Sequence, residues 1–164
     1  MTRRNWKRWI SLLLAAILLT ALLTSCSGGS TQTDDLPGAS SASRYEEEVI
    51  RLVNEIREDH GLEPLSTNSA IMAAAHARLK ELDLSPSHTR PDGTSYYTIL
   101  PEYGLSPYAP GGENLAFGYR TPQEAVNGWM NSPGHRANIL KEGITLIGVG
   151  YNPSKNYWVQ VFTH

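Results

Sequence analysis

Three residues in the middle of the sequence carry side chains suited to chemistry: His88, Glu113 and His135. Each lies beside residues that restrict or free the backbone. His88 precedes a turn at Pro91, Glu113 follows Gly111-Gly112, and His135 follows Pro133-Gly134. Polar residues presented this way on loops often belong to sites. Two imidazoles and a carboxylate suit Zn²⁺ or another divalent metal of similar softness. Without a metal, two histidines can act as acid and base near neutral pH. Spacing leaves a third alternative, three separately hydrogen-bonded residues, because 25 positions separate His88 from Glu113 and 22 separate Glu113 from His135.

Other chemistries are excluded by what the 164 residues lack. One cysteine allows neither an intramolecular disulfide nor a multi-cysteine zinc site. There is no Gly-rich phosphate loop, dinucleotide fingerprint or His-Glu-x-x-His motif, so no organic cofactor is expected. Four of the 14 basic residues (Arg3, Arg4, Lys7 and Arg8) cluster ahead of the apolar run Ile10 to Leu23. The remaining ten face 16 acidic residues, a balance of −6 that makes a nucleic-acid partner unexpected.

That N-terminal arrangement reads as a secretory signal: basic residues, a short apolar core, then small residues. The apolar run is short for a membrane-spanning helix. It ends in Leu23-Thr24-Ser25-Cys26, which resembles a bacterial lipobox. In a lipobox the cysteine receives a diacylglyceryl group and becomes the first mature residue. The expectation is lipidation at Cys26, holding the protein on the outer side of the cytoplasmic membrane or elsewhere in the cell envelope. An uncleaved anchor, or plain secretion, is the alternative. Residues 27–43 are rich in Ser, Gly and Thr with only Leu36 bulky, and read as a flexible tether. The domain is then expected over 44–164, long enough to bury a core without disulfides.

Elements that must position the three residues follow from the pattern. Tyr45, Val49, Leu52, Val53 and Ile56 recur at helical spacing, with Gly61 as a stop. Glu46 to Glu48 read as a solvated face near the start of that helix. A second helix is predicted from just after Thr67 or Asn68, with Ile71, Met72, Ala75, Leu79 and Leu82 on one face and His76 as a satisfied helix histidine. His60 and His164 receive no role. From Ser85 to Gly112 no period is sustained, and Arg90-Pro91-Asp92-Gly93 forms a turn. Thr121-Pro122-Gln123-Glu124 is a capping box that opens a helix running through Trp129. Ser132-Pro133 opens another short helix in the same way. Thr145 to Tyr151 and Tyr157 to Thr163 read as two strands of a hairpin. Trp129, Trp158, Tyr157 and Phe162 are expected in the core or cleft walls, and Arg136 and Asn138 are expected to tie loops together. The class is α+β.

Five ordered motifs then carry a resemblance: Ser87 to Gly93 (SHTRPDG), Gly112 to Ala116 (GENLA), Trp129 to Leu140 (WMNSPGHRANIL), Ile147 to Tyr151 (IGVGY) and Tyr157 to Phe162 (YWVQVF). Together they resemble the bacterial branch of the CAP superfamily, also called the SCP domain. That superfamily includes cysteine-rich secretory proteins, antigen 5 and pathogenesis-related proteins. The resemblance covers about Tyr45 to Phe162. It implies a three-layer α-β-α sandwich with a cleft carrying two His and two Glu, which bind a divalent metal in some members. His88, Glu113 and His135 match three of these positions. Ser132 stands where eukaryotic members place the other Glu, so the resemblance implies an incomplete set.

Two His and one Glu leave room for water on a metal, but a metal-bound Glu is not free as a base. Glu113 has another available task, fixing the tautomer of one histidine. The resemblance therefore implies first a binding module for a lipid, a sterol-like molecule or a cell-wall glycan. The alternative is a metal-dependent hydrolase, proteases included, and after that a structural envelope protein.

Overall fold

The first helix, α1, spans Ser41–Asp59. The computed structural model describes residues 40–106 and 111–164. The signal segment, Cys26 and the tether up to residue 39 lie outside the described residues. α1 begins at Ser41 rather than Arg44 because Ser40 is a competent cap, its hydroxyl accepting from the Ser43 N–H at 3.1 Å. The helix ends where expected, with Gly61 at φ 72° and Leu62 N–H closing onto the Arg57 carbonyl.

Asn68 caps the second helix, α2 (Ser69–Glu81), accepting from Ala70 and Ile71 N–H. The stretch after it is not wholly irregular. The Arg90 turn forms as predicted, closed by Gly93 N–H on the Arg90 carbonyl at 2.9 Å. A 3₁₀ helix then spans Tyr96–Tyr103, burying Ile99 and Leu100. The capping box of α3 (Pro122–Met130) forms in full, and α4 (Pro133–Ile139) follows with Pro133 in its first turn. The Ser132 hydroxyl makes no cap bond, so the start of α4 rests on proline rather than on a serine cap.

Strands β1 (Gly112–Phe117), β2 (Leu146–Asn152) and β3 (Tyr157–Thr163) form one antiparallel sheet in the order β1-β3-β2. The β2–β3 hairpin is as predicted, and β1 is an additional strand. Its register sets Glu113 opposite Val161 and Leu115 opposite Val159.

Alternation along the strands makes two cores, one on each sheet face. Trp158 and Phe162 of β3, with Ile147 and Val149 of β2, join Val49 and Val53 of α1, Val126 and Trp129 of α3 and Ile139 of α4. On the other face Val159, Val161 and Leu115 join Ile71, Ala74 and Ala75 of α2 and Ile99 and Leu100 of the 3₁₀ helix. The result is a three-layer α-β-α arrangement. α2 lies very close to the sheet because β2 offers glycine: a Cβ at Gly148 would stand 2.3 Å from the Ile71 carbonyl oxygen.

Both outer strands have their edges covered. On β2, the Ile147 N–H donates to the Ser66 carbonyl, Val149 N–H to the Met72 sulfur, and Tyr151 N–H to a Glu46 oxygen. On β1, alternate carbonyls at Glu113 and Leu115 accept from Asn138 Nδ2 and Trp129 Nε1. This corrects one expectation. Glu46 is not on a solvated face but 4% exposed, and α1 has no acidic residue in its first turn. Its carboxylate is drawn inward by the edge N–H of Tyr151. No helix among the described residues is long and apolar enough to cross a membrane.

Candidate functional site

Glu113 leaves β1 toward the α2 layer and is fully buried at its side chain. Such a charge needs a partner, and α2 supplies Arg78, itself 0% exposed. Arg78 Nε donates to Glu113 Oε2 at 2.8 Å, and Nη2 lies 3.4 Å from Oε1. The remaining donors of this guanidinium reach Glu81 Oε2 at 2.6 Å and the Ser87 carbonyl at 3.0 Å. Arg78 therefore fixes both the carboxylate and the residue before His88.

His88 completes the arrangement. Its Nδ1 lies 2.9 Å from Glu113 Oε1. An ionised carboxylate only accepts, so the proton sits on Nδ1 and Nε2 is left for a ligand. The His88 side chain is 56% exposed. Tyr96 of the 3₁₀ helix packs edge-on to the His88 ring at 6.4 Å. Burial, helped by the Glu113 charge, pushes the Tyr96 hydroxyl up to about 12. The loop before it is pinned by Arg90, which donates to Glu81, Thr98 and Glu102.

His135 approaches from the opposite layer, on α4. Its main-chain carbonyl accepts from Asn114 Nδ2 at 3.2 Å. Asn114, fully buried, also donates to Gln160 Oε1 and accepts from Asn138 Nδ2. Gln160 Nε2 ends this chain as the buried side-chain donor without a protein partner among the described residues. Gly112, at φ 141°, lets Asn138 approach, since a Cβ there would stand 2.5 Å from its amide. The far end of α4 is held by buried Arg57, which donates to the carbonyls of Ile139 and Lys141. Burial, then the neighbouring His88, lowers the His135 imidazole below its ordinary range. The ring is thus disposed to be neutral, as a ligand or a base must be.

The structure thus joins His88 to Glu113 directly and brings His135 within electrostatic reach of His88. No three His, Cys, Asp or Glu side chains converge on one metal position among the described residues. Both Glu113 oxygens already have protein partners, Arg78 on Oε2 and His88 on Oε1. A separate groove of about 240 Å³ between α1 and α3 is lined by Leu52, Ile56 and Val126 with Glu55, Asp59, Gln123 and Asn127, and by none of the three site residues.

Arg78, Tyr96, Gln160 and Arg57 were not legible as site residues. Arg78 did leave a signal, because it stands at the helical spacing of Ile71, Ala75 and Leu82, where an apolar residue is expected. Asn138 and Arg136 tie segments together as expected, Arg136 through His60 Nε2 at 3.1 Å. Trp129, Trp158 and Phe162 are core residues, and Tyr157 is half-buried.

Residues 50–163 match the model of the CAP, or cysteine-rich secretory protein, family. The chain belongs to this family. A relative, the protein YkwD of Bacillus subtilis, is 40% identical over 125 residues, covering 75% of this chain and 48% of YkwD. The membrane protein YlbC of the same organism is 34% identical over 119 residues, covering 71% of this chain and 34% of YlbC. An extracellular SCP-domain protein of Bacillus anthracis superposes with a TM-score of 0.69 at 27% identity, over 75% of this chain and 41% of that one. The chain therefore spans about half or less of these relatives' lengths.

Proposed function

We propose that this CAP domain is an exported, membrane-anchored binding module whose ligand is recognised at His88 and His135. The observation that carries the reading is the state of Glu113. Its carboxylate is buried, paired with Arg78 and hydrogen-bonded to His88 Nδ1. A carboxylate held this way orients an imidazole and is not free to take a proton from water. Export is supported by the N-terminal sequence and by the extracellular B. anthracis relative, and anchoring through lipidated Cys26 by the lipobox-like sequence alone. An envelope lipid, a sterol-like molecule or a cell-wall glycan is the ligand class proposed.

The two imidazoles also suit a divalent ion such as Zn²⁺, with Glu113 behind His88 in the familiar carboxylate–histidine–metal order. Such an ion would supply Lewis acidity. A second reading, a metal-dependent hydrolase, is favoured by one observation, the lowered His135 imidazole. A lowered value favours the neutral ring, the form that ligates a metal or accepts a proton.

The test is calorimetric titration of Zn²⁺ into protein prepared without chelator, and into the His88→Ala, His135→Ala double variant. One-to-one binding lost in the double variant is expected for a shared site. No binding by the wild type would overturn the metal component. Saturable binding of envelope lipid or peptidoglycan without turnover supports the module. Turnover abolished by chelation and by His135→Ala would overturn it in favour of the hydrolase.

A further inference from the structure

Away from the cleft, a second histidine–glutamate pair joins three elements. Glu46 of α1 reaches round the outer edge of β2. Its Oε1 accepts the Tyr151 main-chain N–H at 2.9 Å, and its Oε2 lies 3.0 Å from His76 Nε2 on α2. The carboxylate is 6% exposed and the imidazole 46% exposed. One side chain thus links the two helical layers across the sheet edge, and one of its partners can titrate near neutrality.

We propose that His76 and Glu46 form a pH-responsive staple, which holds α2 against α1 and the β2 edge most firmly when the imidazole is protonated. Among the described residues, the groups acting on His76 come from three elements. From α1 comes Glu46, from β2 the Tyr151 N–H that shares its carboxylate, and from α2 itself Lys80, one turn on. The Glu46 hydrogen bond and charge outweigh burial and Lys80, and raise the imidazole above its ordinary range. A neutral His76 can still donate a hydrogen bond, but the charge-assisted form is stronger. A raised value in the folded state means the contribution is complete below the unfolded imidazole range of about 6.5. It is lost as pH rises through the folded value. The helix so controlled also carries Arg78, which orients His88.

The experiment uses the full-length chain in detergent solution and compares wild type with His76→Gln, which keeps a donor but never titrates. Thermal stability is measured from about pH 5.5 to about pH 8.5, spanning imidazole titration. The wild type is expected to exceed the variant at the acidic end and to converge with it at the alkaline end. Amide exchange at Tyr151 should follow, with protection in the wild type falling several-fold as pH rises, after correction for intrinsic rates. Parallel stability curves would overturn the proposal. Should the variant fail to fold, the wild-type His76 titration followed by NMR decides instead. A midpoint above that of a free imidazole supports the staple, and one at or below it overturns it. None of these three readouts involves a ligand at His88 and His135.

Discussion

Removing the Arg78 guanidinium would leave Glu113 as a buried carboxylate with only the His88 ring beside it. Breaking a buried pair from one side costs about 3–5 kcal/mol, because the desolvated partner remains. Arg78→Met should therefore lower unfolding free energy in urea by that order. Arg78→Lys should also destabilise, since one ammonium cannot serve Glu113, Glu81 and the Ser87 carbonyl in the geometry of the planar fork. A change of no more than about 0.5 kcal/mol for Arg78→Met, typical of open surface, would show that Glu113 does not depend on this partner. The histidines and Glu113 were legible because their types are reactive and their neighbours special. Arg78 was harder to see, since arginine on a helix ordinarily reads as solvated. Only its place on the apolar stripe marks it as an exception, and that signal is weak without the structure. Glu46 was misread for the related reason that its destination, the Tyr151 N–H, is 105 positions along the chain.

Among the elements, those with local signals were legible. The α3 capping box is written in four consecutive residues, Thr121 to Glu124, and it forms. The β2–β3 hairpin is written in two short, largely apolar runs and in the turn between them, where the Asn152 side chain accepts from Ser154 and Lys155 N–H. β1 has no such signal. Glu113 and Asn114 are polar yet buried, because helices on both faces supply their partners. A strand satisfied by distant residues shows no alternation in its own sequence. The close seat of α2 on β2 is likewise a property of two elements together, and it can be tested. A methyl at Gly148 would clash with the Ile71 carbonyl, which belongs to a helix backbone and has no freedom to swing aside. Gly148→Ala is therefore expected to destabilise by about 1–3 kcal/mol, the range for forced overpacking. Gly134→Ala is the control. Gly134 lies in α4, with nothing within 4 Å of an added Cβ, so this change should be neutral or stabilising. Melting temperatures of the two variants, measured side by side, check the contrast. An undiminished Gly148→Ala protein would mean that α2 can lift off the sheet at little cost.

At the scale of the whole domain, the three strands belong to both cores at once. β3 sends Trp158 and Phe162 into one face and Val159 and Val161 into the other. Neither helical layer can lose its packing without exposing half of the residues that the other layer needs for its sheet. The domain should accordingly unfold as one cooperative unit. The placement of tryptophan provides the means to check this. Trp129 and Trp158 both lie in the core shared with α1, α3 and α4, whereas Ile71 lies in the core beneath α2. Ile71→Ala removes buried volume only from the face that holds neither of these tryptophans. The expected loss is about 2–5 kcal/mol, as for other large-to-small core changes. With a shared sheet, tryptophan fluorescence and far-ultraviolet circular dichroism must shift to the same lower midpoint. A fluorescence transition left at the wild-type temperature, while dichroism moves, would mean that the α2 layer peels away on its own. In that event the sheet would not be the common support of both layers. Arg78 and the orientation of His88 would then depend on α2 alone, and the His88–Glu113 pair would come apart before the rest of the fold.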